Sequence, residues 1–299
     1  MSIHLPDAAP ASRSGYVYAA LTVVIWAGFV LVTRIAGTGS LAAWDIAALR
    51  FGTAALVLFP AWLFWKRVPL FTMRMFALAL IGGVAYALLV YAGFRYAPAA
   101  HGALLVSGLL PFTMALCVWV VLGQSPSRTL RQGLLLIALG VGFLAFDTFW
   151  RHGGDVRGTQ VWFGDLLLVG SSLCWALYSS LIRRWNIGPW ETTIGSALLA
   201  TLIYLPVYVF FLPHALDGAG RGEILLQAVY QGLFVVIVAM VLYLQAMQRL
   251  GPARLGALMA VVPAFAGIGS SLALDEPLTG WLVAGLLLTS LGAWASVRR

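Results

Sequence analysis

The sequence predicts an all-α integral membrane protein in which ten transmembrane helices form two inverted five-helix repeats around a central cavity. Three observations lead to this fold class. Of the 299 residues, 62% are hydrophobic and 9% are charged, whereas soluble domains average about one half and one quarter. The apolar runs reach roughly 20 residues, the length that crosses a bilayer as a helix. The two halves of the chain also share sequence features at a nearly constant spacing.

The apolar runs are hydrophobic on every side, as in LTVVIWAGFVLV and LFVVIVAMVLYL. Strands of a membrane barrel alternate polar and apolar residues, so these runs favour helices. Breaks at charges, prolines and glycine-rich joints separate ten spans. The spans lie near residues 16–36, 45–65, 75–96, 99–122, 130–149, 162–183, 190–212, 223–247, 253–274 and 279–296.

Positive charges predict the orientation, because loops rich in Lys and Arg stay on the cytoplasmic side. With the N-terminus in the cytoplasm, 12 of the 18 Lys and Arg residues lie in inner segments and five in outer segments, and Arg50 lies within the second span. We therefore expect a multi-pass protein of a bacterial inner membrane with both termini cytoplasmic. The predicted parts are a cytoplasmic tail (1–14), a first repeat (15–150), an external linker (151–160) and a second repeat (161–299).

An internal repeat relates the two halves. WAGFVLVTR, which begins at Trp26, matches WALYSSLIR, which begins at Trp175, at an offset of 149. At an offset of 152, Tyr91, Pro111, Gly133 and Gly140 correspond to Tyr243, Pro263, Gly285 and Gly292. Because each half holds an odd number of spans, the second half crosses the membrane in the opposite orientation. Inverted halves can open a midplane site to either side in turn, which is the geometry of alternating access.

Several segments carry a family resemblance. AALRF (47–51) and AAHGALLVSGLLPF (99–112) in the first half, and the stretch 251–292 in the second, resemble EamA-type proteins of the drug/metabolite transporter superfamily. The resemblance covers nearly the whole chain. The family's acidic-proline turn is present at Glu276 and Pro277, but Gln124 replaces the expected glutamate in the first half. The resemblance is closest to YddG-type exporters of aromatic and other amino acids, and it implies export of such substrates.

Mid-span polar and aromatic residues are the candidates for substrate binding, because such groups are costly to leave unpaired in hydrocarbon. The predicted substrate-binding residues are Trp26, Tyr86, Ser107, Trp175, Tyr178 and Gln231, and the predicted helix-kink or gating residues are Pro111 and Pro263. The competing interpretation is packing. The stripe of Ser171, Trp175, Tyr178 and Ser179 lies on one helical face and suits either a cavity or a helix contact.

Two titratable residues within or beside the spans are open to alternatives. Arg50 is either an outer-leaflet anchor that reaches water, Asp45 or Glu276, or a ligand for a substrate carboxylate. His101 begins the fourth span, and we expect an interfacial hydrogen bond there.

Other residues argue against several functions. The single lysine, Lys66, has no phosphate-binding loop around it, so we expect no ATP hydrolysis. No Asp or Glu lies in the middle of a span, which argues against a carboxylate proton relay. The two cysteines, Cys117 and Cys174, lie in apolar segments, and the four histidines are scattered, so we expect no metal, no cofactor and no catalysis.

The predicted function is export of amino acids and related small zwitterionic metabolites by alternating access. The alternatives are export of drugs or other metabolites and, more remotely, a receptor or scaffold that does not transport. The expected partners are a small-molecule substrate, possibly including aromatic amino acids, and the lipid bilayer, but no nucleic acid. The sequence leaves the oligomeric state open, with a monomer among the possibilities.

Overall fold

Apolar helices make up nearly all of the computed structural model, which describes residues 13–152 and 156–296. They are α1 (Arg13–Thr38), α2 (Ala43–Phe64), α3 (Met73–Tyr96), α4 (Ala99–Leu122), α5 (Arg128–His152), α6 (Val156–Trp185), α7 (Pro189–Phe211), α8 (Arg221–Ala246), α9 (Val262–Leu274) and α10 (Gly280–Ser296). Eight are long and apolar enough to cross a membrane, and α9 and α10 are shorter. The predicted all-α membrane fold is confirmed.

Helix boundaries differ from the predicted spans in two places. The predicted linker of residues 151–160 overlaps both α5 and α6, and its residues 153–155 lie outside the described residues. The helical segment Ala239–Met259 joins the end of α8 to the first part of the predicted ninth span. Of the predicted N-terminal tail, residues 1–12 lie outside the described residues.

Three of the helices depart from regular α-helical geometry, and a further break precedes α9. π-helical segments occur at Ala79–Ala85 in α3, Ala103–Gly108 in α4 and Ala228–Val238 in α8. The α-helix of α4 is broken at Leu109, two residues before Pro111, and the chain leaves helical geometry again at Val261, two residues before Pro263. A proline lacks the backbone N–H that would continue the hydrogen-bond ladder. The two breaks are 152 residues apart, the spacing of the repeat.

The packing of the helices follows the internal repeat. Helix α1 packs on α8, as α6 packs on α3, and α4 packs on α6, as α9 packs on α1. Each contact therefore becomes its counterpart when five is added to the number of the first-half helix and subtracted from the number of the second-half helix. Helix α2 also packs on α8, as α7 packs on α3, and the pairs α2 with α7 and α5 with α10 join equivalent helices to each other. This pattern is that of a pseudo-twofold axis between two repeats.

Glycines at the α5–α10 contact show that the repeats are inverted. A Cβ atom on Gly133 would lie 2.5 Å from the carbonyl oxygen of Gly292, and one on Gly140 would lie 2.7 Å from that of Gly285. The residue numbers rise along α5 as they fall along α10, so the two equivalent helices run antiparallel. Small residues allow this close backbone approach. In a membrane, van der Waals contacts of this kind supply packing energy between helices in place of the hydrophobic effect.

Replacing Gly140 with valine is expected to destabilise the protein. The added side chain would overlap the backbone of α10, and overpacking of this kind costs about 1–3 kcal/mol. Gly142→Val is the matched control on the same helix, since a Cβ there meets nothing within 4 Å. Thermal unfolding in detergent should give a lower midpoint for Gly140→Val than for Gly142→Val, and equal midpoints would contradict the packing.

Contacts between helix ends define two faces of the helix bundle. We call the face where α1 begins the near face and the opposite one the far face. Trp65 at the end of α2 packs against Trp190 at the start of α7, with ring centroids 4.8 Å apart, on the near face. Arg34 near the end of α1 pairs with Glu276 before α10, at 2.7 Å, on the far face. If the sequence orientation is correct, the near face is cytoplasmic.

Candidate functional site

A central cavity lies between the two halves of the protein. Its wall comes from α1–α4 in the first half and α6–α8 in the second. The cavity volume is about 130 Å³, which is smaller than the roughly 300–1,000 Å³ of sites for drug-sized ligands. The π-helical segments of α3, α4 and α8 all contribute residues to this wall. π-helical turns of this kind occur frequently at functional sites.

An aromatic cluster of Tyr86, Trp175 and Tyr178 lines the cavity. The Trp175 ring centroid lies 5.2 Å from that of Tyr86 and 5.4 Å from that of Tyr178. The Tyr178 hydroxyl is 3.3 Å from the hydroxyl of Ser196 on α7. Gly82, in the π-helical turn of α3, makes room for the cluster, because a Cβ there would overlap the Tyr178 ring.

Five of the six predicted substrate-binding residues lie in the cavity wall. Besides the aromatic cluster, they are Trp26 on α1, whose ring centroid is 5.2 Å from that of Tyr243, and Ser107 on α4. The sequence therefore located the wall of a cavity, and substrate contact by these residues stays a prediction.

Gln231 does not reach the cavity wall. It is fully buried behind Tyr91, whose hydroxyl donates a 3.2 Å hydrogen bond to Gln231 Oε1. Gln231 Nε2 donates to Thr33 Oγ1 at 3.0 Å and to Gln227 Oε1 at 3.3 Å. Its amide is thus satisfied within the α1–α8 contact, and substrate contact by Gln231 stays a prediction.

Arg50 does reach the cavity wall, and its predicted acidic partners are engaged elsewhere. Asp45 Oδ1 accepts a 2.6 Å hydrogen bond from the Tyr208 hydroxyl, and Asp45 Oδ2 accepts one from the Ala42 N–H at 2.9 Å. Glu276 pairs with Arg34. Arg50 itself is 8% exposed and forms no ion pair with any residue that the structure describes. The interpretation of Arg50 as an anchor paired with Asp45 or Glu276 is wrong.

The polar stripe of α6 divides between two roles. Trp175 and Tyr178 face the cavity, whereas Ser171 and Ser179 are not in its wall. Their hydroxyls donate to the carbonyl oxygens of Leu168, at 2.7 Å, and Trp175, at 2.8 Å. The two serines therefore satisfy their hydrogen bonds within their own helix.

Near the far face, the start of α4 is joined to α6, because His101 Nδ1 lies 2.9 Å from Asp165 Oδ1, in agreement with the expected hydrogen bond.

Helix α7 supplies a part of the wall that the sequence analysis missed. Its residues in the cavity are Thr193, Ser196, Ala197 and Ala200. Their spacing of i, i+3, i+4 and i+7 puts four small side chains on one helical face, a signal present in the sequence. Such a stripe equally indicates close helix packing, so the pattern alone could not distinguish a cavity wall from a helix contact.

Pro111 and Pro263 lie outside the wall, and their role in gating stays a prediction.

An ion-pair network lies on the far face of the protein. Arg34 Nε donates to Glu276 Oε1 at 2.7 Å, and Arg34 Nη1 donates to the Phe94 carbonyl oxygen at 2.7 Å. Glu276 Oε2 accepts from the Ala99 N–H at 2.7 Å. We call these four residues the far-face network. It ties α1, the end of α3 and the start of α4 to the turn between α9 and α10.

The repeat relates the far-face network to a weaker contact on the near face. Arg34 corresponds to Arg183 at the offset of 149, and Glu276 corresponds to Gln124 at the offset of 152. Arg183 Nη2 donates to Gln124 Oε1 at 3.3 Å, in an exposed position. Equivalent positions thus carry a partly buried ion pair on the far face and, on the near face, an exposed hydrogen bond from an arginine to an uncharged amide.

A comparison with protein-family models matches the chain twice. The EamA-like transporter family matches residues 13–146 and again residues 162–298. Each match covers one five-helix half. Within the described ranges, no group of three or more His, Cys, Asp or Glu residues is placed to hold a metal ion.

Curated relatives of the chain are transporters at low sequence identity. The threonine/homoserine exporter RhtA of Salmonella typhimurium strain LT2 is 27% identical over 266 residues, covering 85% of this chain and 82% of the relative. The uncharacterized transporter YyaM of Bacillus subtilis is 24% identical, covering 82% and 81%. A crystal structure of another protein has a TM-score of 0.64 at 21% identity and covers 96% of this chain and 98% of that chain. This last likeness concerns the fold alone.

Proposed function

Since this chain belongs to the EamA-like transporter family, we propose that it exports amino acids and related small zwitterionic metabolites by alternating access, without ATP hydrolysis. The observation that carries the proposal is the central cavity, in which Arg50, a cation without an ion-pair partner among the described residues, shares the wall with an aromatic cluster. A cation suits the carboxylate of an amino acid, and aromatic rings suit its side chain.

The chemistry of the cavity wall favours small substrates with one carboxylate. Sugar phosphates and nucleotide sugars carry several negative charges and need several basic partners. Arg50 is the one basic residue in the described cavity wall, beside hydroxyl groups and aromatic rings. RhtA, which is named as an exporter of threonine and homoserine, supports the amino-acid class, and the resemblance to exporters supports the direction.

Alternating access follows from the two halves in this proposal. The cavity lies between them, and the pseudo-twofold arrangement allows the near face to open in the way that the far face does. In this proposal the far-face network is the contact that closes the far side. We place the protein in a bacterial inner membrane with both termini cytoplasmic, so that the substrate enters from the near face.

Counterflow in liposomes tests the proposed function. Purified protein is reconstituted with unlabelled threonine, homoserine or phenylalanine inside, and entry of the radiolabelled amino acid is followed with and without a pH gradient. We expect saturable counterflow of at least one amino acid without a gradient. Absence of flux for all three and for a wider amino-acid panel, with folded protein, would favour drugs or other metabolites instead. A strict proton requirement abolished by one acidic substitution would contradict uncoupled transport.

A further inference from the structure

The Arg50 side chain lies in the cavity wall without a counter-charge among the residues that the structure describes. It is 8% exposed, and its Nη1 donates a 3.3 Å hydrogen bond to the Tyr91 hydroxyl. A guanidinium carries five N–H donors, and among the described residues Tyr91 is the hydrogen-bond partner of this one. A charge this deep in a membrane protein is costly without an anion beside it. The cavity, into whose wall Arg50 is built, is the route by which an anion can arrive.

Arg50 is held in position from behind. Tyr91 is 1% exposed, and its hydroxyl donates to Gln231, which is fixed in turn by Thr33. Helix α8 packs directly on α2 here, because a Cβ on Gly232 would lie 3.0 Å from the Arg50 carbonyl oxygen. Three helices thus fix the guanidinium before any ligand binds. A planar guanidinium so fixed matches the two oxygens of a carboxylate in a bidentate pair.

The Arg50 charge is also close to the aromatic cluster. Arg50 lines the same cavity as Tyr86 and Tyr178. A molecule that places its carboxylate on Arg50 can therefore place an adjoining side chain against these rings.

From this arrangement we propose that Arg50 binds the carboxylate of the transported molecule and that the cavity recognises the carboxylate more strongly than the amino group. The assignment rests on the proposed transport function and names the group through which a substrate is selected. The described part of the cavity wall contains no Asp or Glu for an ammonium group. The ammonium group is left with the hydroxyls of Ser107, Thr193 and Ser196 and with aromatic faces, which are weaker partners than a buried guanidinium.

The test compares three ligands that share one side chain. Phenylalanine has both charged groups, phenylalaninamide lacks the carboxylate charge, and 3-phenylpropionate lacks the amino group. Binding to the full-length protein in detergent is followed by tryptophan fluorescence, since Trp26 and Trp175 lie in the wall. We expect the amide to bind at least about tenfold more weakly than phenylalanine, as expected when a buried charge loses its partner, and 3-phenylpropionate to lose less.

Variants of Arg50 decide the assignment. Arg50→Gln should weaken both carboxylates at least about tenfold and remove the preference for the acid over the amide, whereas Arg95→Gln, at an exposed position, should leave binding unchanged. Without ligand, Arg50→Gln should unfold at the same temperature as wild type or higher, because it removes an unpaired buried charge. Arg50→Lys keeps the positive charge but lacks the planar guanidinium. We therefore expect weaker binding of the carboxylates, with the preference for the acid over the amide retained. This variant tests the assignment if Arg50→Gln does not fold.

Two results would overturn the assignment. One is an acid-over-amide preference that persists in Arg50→Gln, and the other is a wild-type protein that binds neither phenylalanine, threonine nor 3-phenylpropionate. The proposed function fails separately. Arg50-dependent binding of carboxylates without flux of any amino acid would refute amino-acid transport and leave the Arg50 assignment standing. Amino-acid flux that is unaltered by Arg50→Gln would support the transport function and refute the Arg50 assignment.

Discussion

Trp175→Ala is expected to lower the rate of amino-acid counterflow at least about tenfold. An aromatic side chain buries about 150–250 Å², and a loss of only about 1.4 kcal/mol of binding free energy weakens the affinity tenfold. Trp175 is the centre of the aromatic cluster, with Tyr86 and Tyr178 packed on either side of it in the cavity wall. Its loss removes both a surface for the substrate side chain and the support of the two tyrosines.

The matched control is Trp119→Ala. Trp119 lies on α4, is 56% exposed and is not part of the cavity wall. Both variants are reconstituted at equal protein density after size-exclusion chromatography, and initial rates of counterflow are compared over a range of substrate concentrations. A flux in Trp175→Ala equal to that of Trp119→Ala would mean that the cluster serves packing and does not contact the substrate.

Glu276→Gln is expected to shift the conformational equilibrium toward a state open at the far face. The substitution removes the charge from a partly buried pair with Arg34, whose side chains are 17% and 16% exposed. Hydrogen bonds to charged groups contribute about 1.5–3 kcal/mol, so the equilibrium should move by roughly ten- to a hundredfold. The symmetry-related variant Gln124→Glu should shift the equilibrium in the same direction, because it strengthens the equivalent contact with Arg183 on the near face by adding a charge.

A distance measurement across the far face checks this expectation. Spin labels are attached at Thr38, after the pairing residue of α1, and at Gly280, the start of α10, in a background with both cysteines replaced. Thr38 is exposed, and a Cβ at Gly280 meets nothing within 4 Å, so the labels disturb no packing. Both variants should raise the population of long distances. A distribution identical to wild type in both would show that these contacts do not hold the closed state.

Much of the fold follows from the sequence for simple physical reasons. In a bilayer every backbone polar group must be paired within its own segment, so long apolar runs leave little choice but helices. Five spans in each half force the repeats into opposite orientations, and the antiparallel contact of Gly133 and Gly140 with α10 agrees with that inference. The paired breaks before Pro111 and Pro263 were equally foreseeable, because proline cannot complete the helical ladder.

The candidate site was only partly predictable. Trp26, Tyr86 and Trp175 were identifiable because a polar or aromatic group at mid-depth needs a partner or a cavity. The four small residues of α7 escaped notice, because the same pattern also marks helix contacts. Sequence periodicity states that a helical face is buried, and it does not state whether that face meets another helix or an empty space.

What the sequence by itself determined is therefore the helical membrane fold, its inverted repeat and the set of residues that avoid lipid. The tertiary structure decided how each helix is rotated about its axis. That rotation placed Gln231 behind Tyr91 and directed Asp45 to Tyr208. It left Arg50 in the cavity wall without an acidic partner among the described residues. The physical reason is that helix rotation depends on packing against several neighbours at once, whereas hydropathy depends only on the residue and its depth.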